Sequence, residues 1–205
     1  MPAEYFTGLD LGQLSDFSAL VVVERAHATR LEVQHIVRWH LGTSYPQIVS
    51  DVKQLFSRPP LQGSPLIVDG TGVGVAVVDL FELADIDADL RAYSITAGLK
   101  PGDGTVPKKD LVGAVQVALG TKELKIAPHL PLADVLVKEL QNFRVKVTED
   151  RNETFGSWRD GDNDDVVLSL ALALWYAYNH GGSTGEPRTV KGHFDHHGPG
   201  TWRKK

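Results

Sequence analysis

Four aspartates stand at positions where a folded chain could bring them together. Asp164 and Asp165 precede a continuous apolar run, Val166 to Tyr178, whereas Asp10 and Asp69 each end a short apolar segment. A helix that is apolar on every side must be buried on every side, so the acids at its start are carried to the edge of a core. Carboxylate oxygens are the ligands that Mg²⁺ and Mn²⁺ prefer. The pattern therefore indicates divalent cations bound at the start of this helix.

Helix capping is the simpler explanation for acidic residues at a helix start. Asp and Asn are favoured caps, and negative charge suits the positive end of the helix dipole, each effect contributing about 0.5–2 kcal/mol. One or two acids would be enough for this purpose. The segment Gly161 to Asp165 contains three aspartates, so we expect Asp162 to cap the helix and the later acids to bind cations.

The composition is that of an ordinary globular domain. The chain has 205 residues, of which 42% are apolar and 23% charged, with a formal net charge of −5. The negative charge does not exclude nucleic-acid binding, because acids that bind metal lower the net charge while basic residues can still line a groove. The absence of cysteine excludes disulfides, thiolate zinc sites and a cysteine nucleophile. No signal peptide is expected, and the apolar run before Tyr178 is too short to span a bilayer.

The hydrophobic pattern predicts the elements of an α/β domain. Strands are expected at 4–11, 18–24, 31–40, 66–69 and 89–95 with a short one at 123–126, helices at 44–58, 75–83, 108–119, 132–143 and 166–178, and a hairpin at 143–158. In the third strand the odd-numbered residues from Leu31 to Trp39 alternate with Glu32, Gln34 and Arg38. We therefore expect this strand to be buried on one face and wet on the other.

Three strands in hairpin order, then a helix, a strand, a helix, a strand and a late long helix, are the element order of a ribonuclease-H-like core. A helical crossover returns the fourth strand parallel to the first, so the two are expected side by side in a mixed five-stranded sheet flanked by helices, with the hairpin added. Asp10 ends the first strand and Asp69 the fourth. Neighbouring strands lie about 4.8 Å apart, so both carboxylates could share a cation, and Gly8 leaves space beside Asp10. Either acid alone could be an ordinary turn residue.

These segments resemble the nuclease domain of the large terminase subunit of tailed bacteriophages. The matching segments are Phe6 to Gly12 with Asp16 to Val21, Leu66 to Gly74, and Asp164 to Ala173. The resemblance covers roughly residues 4 to 180 and implies a nuclease domain over 1–180. The remainder, 181–205, begins with Gly-Gly-Ser-Thr-Gly and is polar, so it is expected to be a flexible tail.

The resemblance implies a metal-dependent endonuclease that cuts DNA by a two-metal mechanism with Mg²⁺ or Mn²⁺. We assign Asp10 as the ligand that bridges the two ions, Asp69 to one ion and Asp164 to the other. Consecutive helical residues point about 100° apart, so Asp165 is expected to be a supporting ligand or to act behind the ligands. Asn163 stands where a His often precedes the paired acids in the family, so no role is carried over from that His.

The resemblance also implies partners. Double-stranded DNA is the expected substrate, with a packaging ATPase domain, a small terminase subunit and a portal as further partners, in the cytoplasm of a phage- or prophage-infected bacterium. Basic residues that could contact DNA phosphates are Lys108, Lys109, Arg144, Lys146, Arg151 and Arg159. No Gly-x4-Gly-Lys-Ser/Thr loop is present, so ATP hydrolysis is not expected, and neither is a membrane partner.

Three alternatives stay open at this stage. A junction resolvase or transposase-like nuclease would keep the chemistry and change the substrate. An actin-like or sugar-kinase ATP-binding domain also has an Asp-Leu-Gly first strand and an Asp-Gly-Thr-Gly turn, but that class needs two such domains around the nucleotide. A non-catalytic binding domain on the same fold would lack metal affinity.

Overall fold

The computed structural model describes residues 3–12, 16–27, 30–71, 75–97, 102, 104–142, 146–147, 153–154 and 164–181. The strands are β1 (Glu4–Asp10), β2 (Ala19–His27), β3 (Arg30–Arg38), β4 (Pro65–Asp69), β5 (Asp89–Thr96), β6 (Thr105–Pro107), β7 (Leu124–Ile126), β8 (Lys146–Val147) and β9 (Glu153–Thr154). The helices are α1 (Tyr45–Phe56), α2 (Val75–Leu83), α3 (Lys108–Gly120), α4 (Ala133–Asn142) and α5 (Asp165–His180). Each helix and strand expected from the sequence has a counterpart here.

Seven strands form one mixed sheet in the order β6-β5-β4-β1-β2-β3-β7. β1 pairs antiparallel with β2 and parallel with β4, as the crossover argument predicts. The expected count of five strands is wrong, because β6 and β7 extend the sheet at its two edges. β7 coincides with the short strand expected at 123–126, whereas β6 was not expected and leads directly into α3. The separate pair β8 and β9 confirms a hairpin within 143–158.

Helices cover both faces of the sheet, so the protein has two cores. On one face α3, α4 and α5 pack on the sheet, with Leu111, Leu136 and Leu170 fully buried. On the other face α1 and α2 enclose a second core that includes Val52 and Phe81. No helix in the described part of the chain is long and apolar enough to cross a membrane. The tail expected at 181–205 lies outside the described residues, apart from residue 181.

α5 is the most deeply buried helix that the structure describes. Every residue from Asp165 to Ala177 is buried except the partly buried Leu168. This burial follows from a sequence that is apolar on all sides, and it places the helix across β1, β2 and β4. Because the first turn of the helix is buried, its unpaired backbone N–H groups need partners from elsewhere in the protein.

The carboxyl end of α5 is held by Arg25 of β2. Arg25 donates a hydrogen bond to the carbonyl oxygen of Ala177, and its guanidinium lies 5.2 Å from the centre of the Phe6 ring. The same guanidinium pairs with Glu4 at 3.4 Å. A cation at this position also matches the negative end of the helix dipole. Arg25 therefore anchors the last turn of α5 to the sheet.

A β-bulge interrupts β3 at Gln34. Val22 of β2 pairs with His35, whereas the next residue, Val23, pairs with Val33, so Gln34 is an extra residue without a partner of its own. An extra residue reverses the alternation of side chains between the two faces of a strand. The residues of β3 beyond the bulge therefore face the opposite way from the direction that simple alternation predicts.

The expectation that the odd-numbered residues from Leu31 to Trp39 share one face is wrong for this reason. Leu31 and Val33 belong to the core beneath α5, and beyond the bulge it is Ile36 that belongs to it. Arg38, expected on the polar face with Glu32 and Gln34, instead faces α5. This reversal determines one of the contacts of the functional site.

α5 approaches the sheet closely at Gly8 of β1. A Cβ atom at Gly8 would lie 1.9 Å from the carbonyl oxygen of Ser169 and 3.0 Å from the backbone nitrogen of Ala173. Both obstacles are backbone atoms of α5, so a side-chain rotation could not make room. Gly8 therefore allows the helix to approach β1, in addition to leaving space beside Asp10.

We expect Gly8→Ala to destabilise the protein by about 3 kcal/mol or more, because α5 must move away from β1 to accommodate the methyl group. Urea unfolding measures the change in the free energy of unfolding. Gly113→Ala is the matched control, since a Cβ at Gly113 in α3 meets no atom within 4 Å. That control should be stabilised by about 0.5–1 kcal/mol through helix propensity. Equal stability of the Gly8 variant and wild type would contradict this account.

Candidate active site

Asp10 and Asp69 lie at the same edge of the sheet. Leu9 of β1 pairs with Val68 of β4, so the next residues, Asp10 and Asp69, end two adjacent parallel strands. Leu9 and Val68 belong to the core beneath α1 and α2. Asp10 and Asp69, one position further along, therefore face α5. Asp69 is buried and Asp10 is partly buried. The structure thus confirms the placement of these acids at neighbouring strand ends, and their role as ligands stays a prediction.

Ser169 joins the first turns of α5 to the ends of β1 and β2. Its Oγ accepts a hydrogen bond from the backbone N–H of Asp10 at 3.2 Å. The hydroxyl can donate to one of two carbonyl oxygens, those of Ala19 and Asp165, each 2.8 Å away. Sequence reasoning missed this residue, although a polar residue inside an otherwise apolar helix was the signal that could have revealed it. Ser169 fixes the backbone of Asp10 relative to the start of α5.

The carboxylates of Asp164 and Asp165 lie beside different basic side chains. Asp164 Oδ2 lies 3.9 Å from Nζ of Lys108, the first residue of α3. Asp165 is bound by Arg38, whose Nε lies 2.9 Å from Oδ2 and whose Nη2 donates to Oδ1 at 3.0 Å. The two carboxylates diverge as expected for consecutive residues at a helix start. Sequence reasoning missed the Arg38 contact, because alternation placed that residue on the other face of β3.

Glu139 of α4 caps the amino end of α5. Its Oε2 accepts a hydrogen bond from the backbone N–H of Val167 at 2.9 Å, and the residue is buried. Asp164 stands at the N-cap position and makes no side-chain capping hydrogen bond. A capping hydrogen bond therefore does not account for the carboxylate of Asp164. Asp162 and Asn163 lie outside the described residues.

The loop that follows Asp69 is held by a short chain of hydrogen bonds. Asp69 Oδ1 accepts the backbone N–H of Thr71 at 2.8 Å. Thr71 Oγ1 in turn accepts the backbone N–H of Ile95 of β5 at 2.7 Å. These contacts orient the carboxylate of Asp69 and tie the ends of β4 and β5 together.

The carboxylates at this edge of the sheet repel one another, and burial limits their hydration. Burial raises the pKa of Asp10 well above its usual value, and the charges of Asp69, Asp164 and Asp165 raise it further. Burial also raises the pKa of Asp69, against the hydrogen bonds of Thr71 and the charge of Lys108. The pKa of Asp165 is raised by burial and lowered by Arg38. A cation bound among these groups would relieve the repulsion.

The donor set fits a hard divalent cation in its chemistry. Asp10, Asp69 and Asp164 offer only carboxylate oxygens, and the negative charges of Asp69, Asp164 and Asp165 act on Asp10. Within the described ranges, no three His, Cys, Asp or Glu side chains are already grouped to hold a metal ion. The protein partners account for this, because Asp69 accepts from Thr71, and Asp164 lies beside Lys108. Binding of a cation by all three acids would require their side chains to rotate from these positions.

The predicted DNA-binding residues are only partly placed. Lys108 and Lys109 form the first turn of α3, with Lys108 beside Asp164. Lys146 lies in β8, where the structure describes the backbone alone. Arg144, Arg151 and Arg159 lie outside the described residues. The DNA contacts of all six residues stay predictions.

Comparison with known proteins identifies the fold. No protein-family model matches the chain, and no curated protein does either. Among solved structures, the large terminase nuclease of thermophilic phage G20c is similar, with a TM-score of 0.63, 20% identity, and coverage of 85% of this chain and 82% of that one. The large terminase of bacteriophage HK97 has a TM-score of 0.61, 13% identity, and coverage of 86% and 40%. The g2p nuclease domain of bacteriophage SPP1 with bound Mn has a TM-score of 0.55, 14% identity, and coverage of 83% and 84%. The chain thus has the ribonuclease-H-like fold of large-terminase nuclease domains, which the resemblance implied.

Glu139 generates a prediction about pH. Burial raises the pKa of Glu139 from 4.5 to about 7, against the hydrogen bond from Val167. Between these two values the folded protein holds a proton that the unfolded chain has released, so this group makes stability fall as pH rises through the window. Glu139→Gln removes the titration, and its amide oxygen can still accept from Val167. The variant should match wild type near pH 5 and exceed it at pH 8 by up to about 3 kcal/mol.

Urea unfolding at pH 5, 6, 7 and 8 measures this difference. Glu82→Gln makes the same change of charge at an exposed position of α2, on the opposite face of the sheet. The free energy of unfolding of Glu82→Gln should differ from that of wild type by the same amount at all four pH values. A Glu139→Gln variant whose stability relative to wild type is lower at pH 8 than at pH 5 would contradict the assigned cause.

Proposed function

We propose that this domain is a metal-dependent endonuclease that hydrolyses phosphodiester bonds in duplex DNA. The observation that carries the proposal is the meeting of Asp10, Asp69 and the first turn of α5 at one edge of the sheet. The fold shared with large-terminase nuclease domains supports it. The SPP1 domain has bound Mn, and the G20c nuclease is also known with bound zinc, which supports a divalent cation for the same site here.

Three acids are proposed to hold two Mg²⁺ or Mn²⁺ ions. Asp10 is the proposed bridging ligand, because β1 lies between β4 and the start of α5. Asp69 and Asp164 are proposed to hold one ion each. When bound, two such ions activate a water for attack and stabilise the leaving oxyanion. Asp165 is proposed to lie further from the ions than these three acids, because its carboxylate is bound to Arg38.

The protein's own groups are proposed to orient the site and the substrate. Ser169 holds the backbone of Asp10, and the loop at Thr71 holds Asp69. Lys108 and Lys109 stand at the positive end of the α3 dipole, where they would attract a DNA phosphate towards the acids. A packaging ATPase, a small terminase subunit and a portal are proposed as further partners, and an infected bacterium as the setting.

We expect Asp69→Asn to reduce plasmid cleavage in Mn²⁺ by about 100-fold or more. The metal-free variant should be at least as stable as wild type, because one charge is removed from a repelling group while the side-chain oxygen can still accept from Thr71. Mn²⁺ should raise the melting temperature of wild type and raise that of the variant less. Plasmid cleavage and thermal melts with and without Mn²⁺ measure these effects.

The control is Asp79→Asn, which makes the same change in α2 on the far face of the sheet. It should leave cleavage and the effect of Mn²⁺ unchanged. Retained cleavage in Asp69→Asn would rule out the two-metal assignment. Binding of DNA without cleavage by wild type in either metal would instead favour a non-catalytic domain.

Cleavage should depend steeply on salt and little on DNA sequence, because the proposed contacts are to phosphates. With roughly four phosphate contacts, raising salt from 50 to 200 mM should lower the rate at limiting DNA about 100-fold. Lys109→Gln should reduce the slope of log rate against log salt by about one. Lys53→Gln, in α1 on the other face, should leave the slope unchanged. A rate that is indifferent to salt would contradict phosphate-based binding.

A further inference from the structure

We propose that Arg38 is a positioning residue of this site. By binding Asp165, it fixes the first turn of α5 so that Asp164 is directed towards Asp10 and Asp69. The inference rests on the proposed nuclease function and adds a residue on β3 that lies outside the acidic segments.

The contact between Arg38 and Asp165 determines an orientation as well as a distance. Nη2 of the guanidinium donates a hydrogen bond to Oδ1 at 3.0 Å, and Nε lies 2.9 Å from Oδ2 in an ion-pair contact that lacks hydrogen-bond geometry. Two separate contacts between a planar guanidinium and a planar carboxylate restrict the rotation of both groups. Asp165 is the first residue of α5, so fixing its side chain also fixes the direction in which its neighbour Asp164 leaves the helix.

The surroundings make this contact rigid. Only 17% of the Arg38 side chain and 6% of the Asp165 side chain are exposed. The ring of Phe17 lies against the guanidinium, 3.8 Å from the ring centre, and supports it from another side. A buried ion pair is often no more stable than an apolar pair of the same size. Orientation of the helix start is therefore the more specific contribution of this pair.

The sheet brings Arg38 to this place through two features. The bulge at Gln34 turns Arg38 to the face that carries α5. Ala19 of β2 pairs with Asp10 on one side and with Arg38 on the other. The three residues therefore form one row across β1, β2 and β3, and the small side chain of Ala19 leaves the space above β2 to Asp165 and Ser169. Both oxygens of Asp165 are engaged with Arg38, which separates this acid from its neighbour Asp164.

The test compares Arg38→Lys and Arg38→Gln with wild type. Lys keeps the charge but cannot make both contacts of the guanidinium, so Arg38→Lys should fold with a single thermal transition and still lose at least tenfold in kcat for plasmid cleavage. KM for DNA should stay within twofold, and the Mn²⁺ concentration for half-maximal rate should rise. Arg38→Gln should show the same changes to a greater degree. Rates are expressed per folded molecule, so a merely structural role would leave them at the wild-type value.

Two controls separate this role from others. Arg30→Gln removes an arginine that pairs with Glu32 at the far end of the same strand, and its kcat and Mn²⁺ requirement should equal those of wild type. Asp165→Asn and the double variant with Arg38→Gln complete a cycle, in which the double variant should lose no more kcat than Arg38→Gln alone. The same cycle measured by unfolding of the metal-free proteins should also be non-additive.

Four results would overturn the inference. The first is a wild-type kcat and Mn²⁺ requirement in Arg38→Lys, and the second is additive losses of kcat in the cycle of Arg38→Gln and Asp165→Asn. The third is a cycle that is non-additive in unfolding but additive in kcat. The fourth is a rise in KM of the Arg38 variants with a smaller salt slope, which would make Arg38 a DNA contact. If wild type cleaves no DNA, the proposed function fails. The inference about Arg38 is then decided by the Mn²⁺-induced rise in melting temperature. Arg38→Lys should lose at least half of that rise, and an equal rise, or none in wild type, would overturn it.

Discussion

The approach of α5 to β1 at Gly8 is the constraint on which the rest of the site depends. It brings the helix backbone close enough for Ser169 to bind the amide of Asp10. A helix that is buried from Asp165 to Ala177 cannot satisfy all of its end groups with water, so other elements supply partners. Glu139 binds an amide at its start, and Arg25 binds a carbonyl at its end. The residues that hold the helix therefore also place the acids.

The collected acids oppose folding and favour the proposed chemistry for the same reason. Burial and mutual repulsion raise the pKa of Asp10. A hydrophobic residue there would avoid this cost, and a cation would remove it. The protein limits the repulsion by giving the flanking acids separate cations, Lys108 for Asp164 and Arg38 for Asp165. The arrangement is therefore stable enough to fold, and it keeps Asp10 in an environment that favours positive charge.

Local patterns in the sequence predicted most of the fold, and contacts between distant segments account for what they missed. The bounds of α2 agree with the prediction at both ends, and the crossover rule placed Asp10 beside Asp69. The bulge at Gln34 depends on pairing with β2, and without it the direction of Arg38 was predicted wrongly. The capping by Glu139 joins α4 to α5 across 28 positions. No periodicity within one element carries such information.

The bond between Ser169 and the amide of Asp10 also has a consequence for synthesis of the protein. It joins residues 159 positions apart, so β1 emerges from the ribosome long before the helix that covers it. Until α5 follows, the apolar face of β1 and β4 has no partner from that helix, and a nascent chain must be kept from aggregating at this surface. The acids are likewise incomplete as a group during this interval. Under the proposed function, a growing chain would therefore gain hydrolytic activity only after α5 has been made.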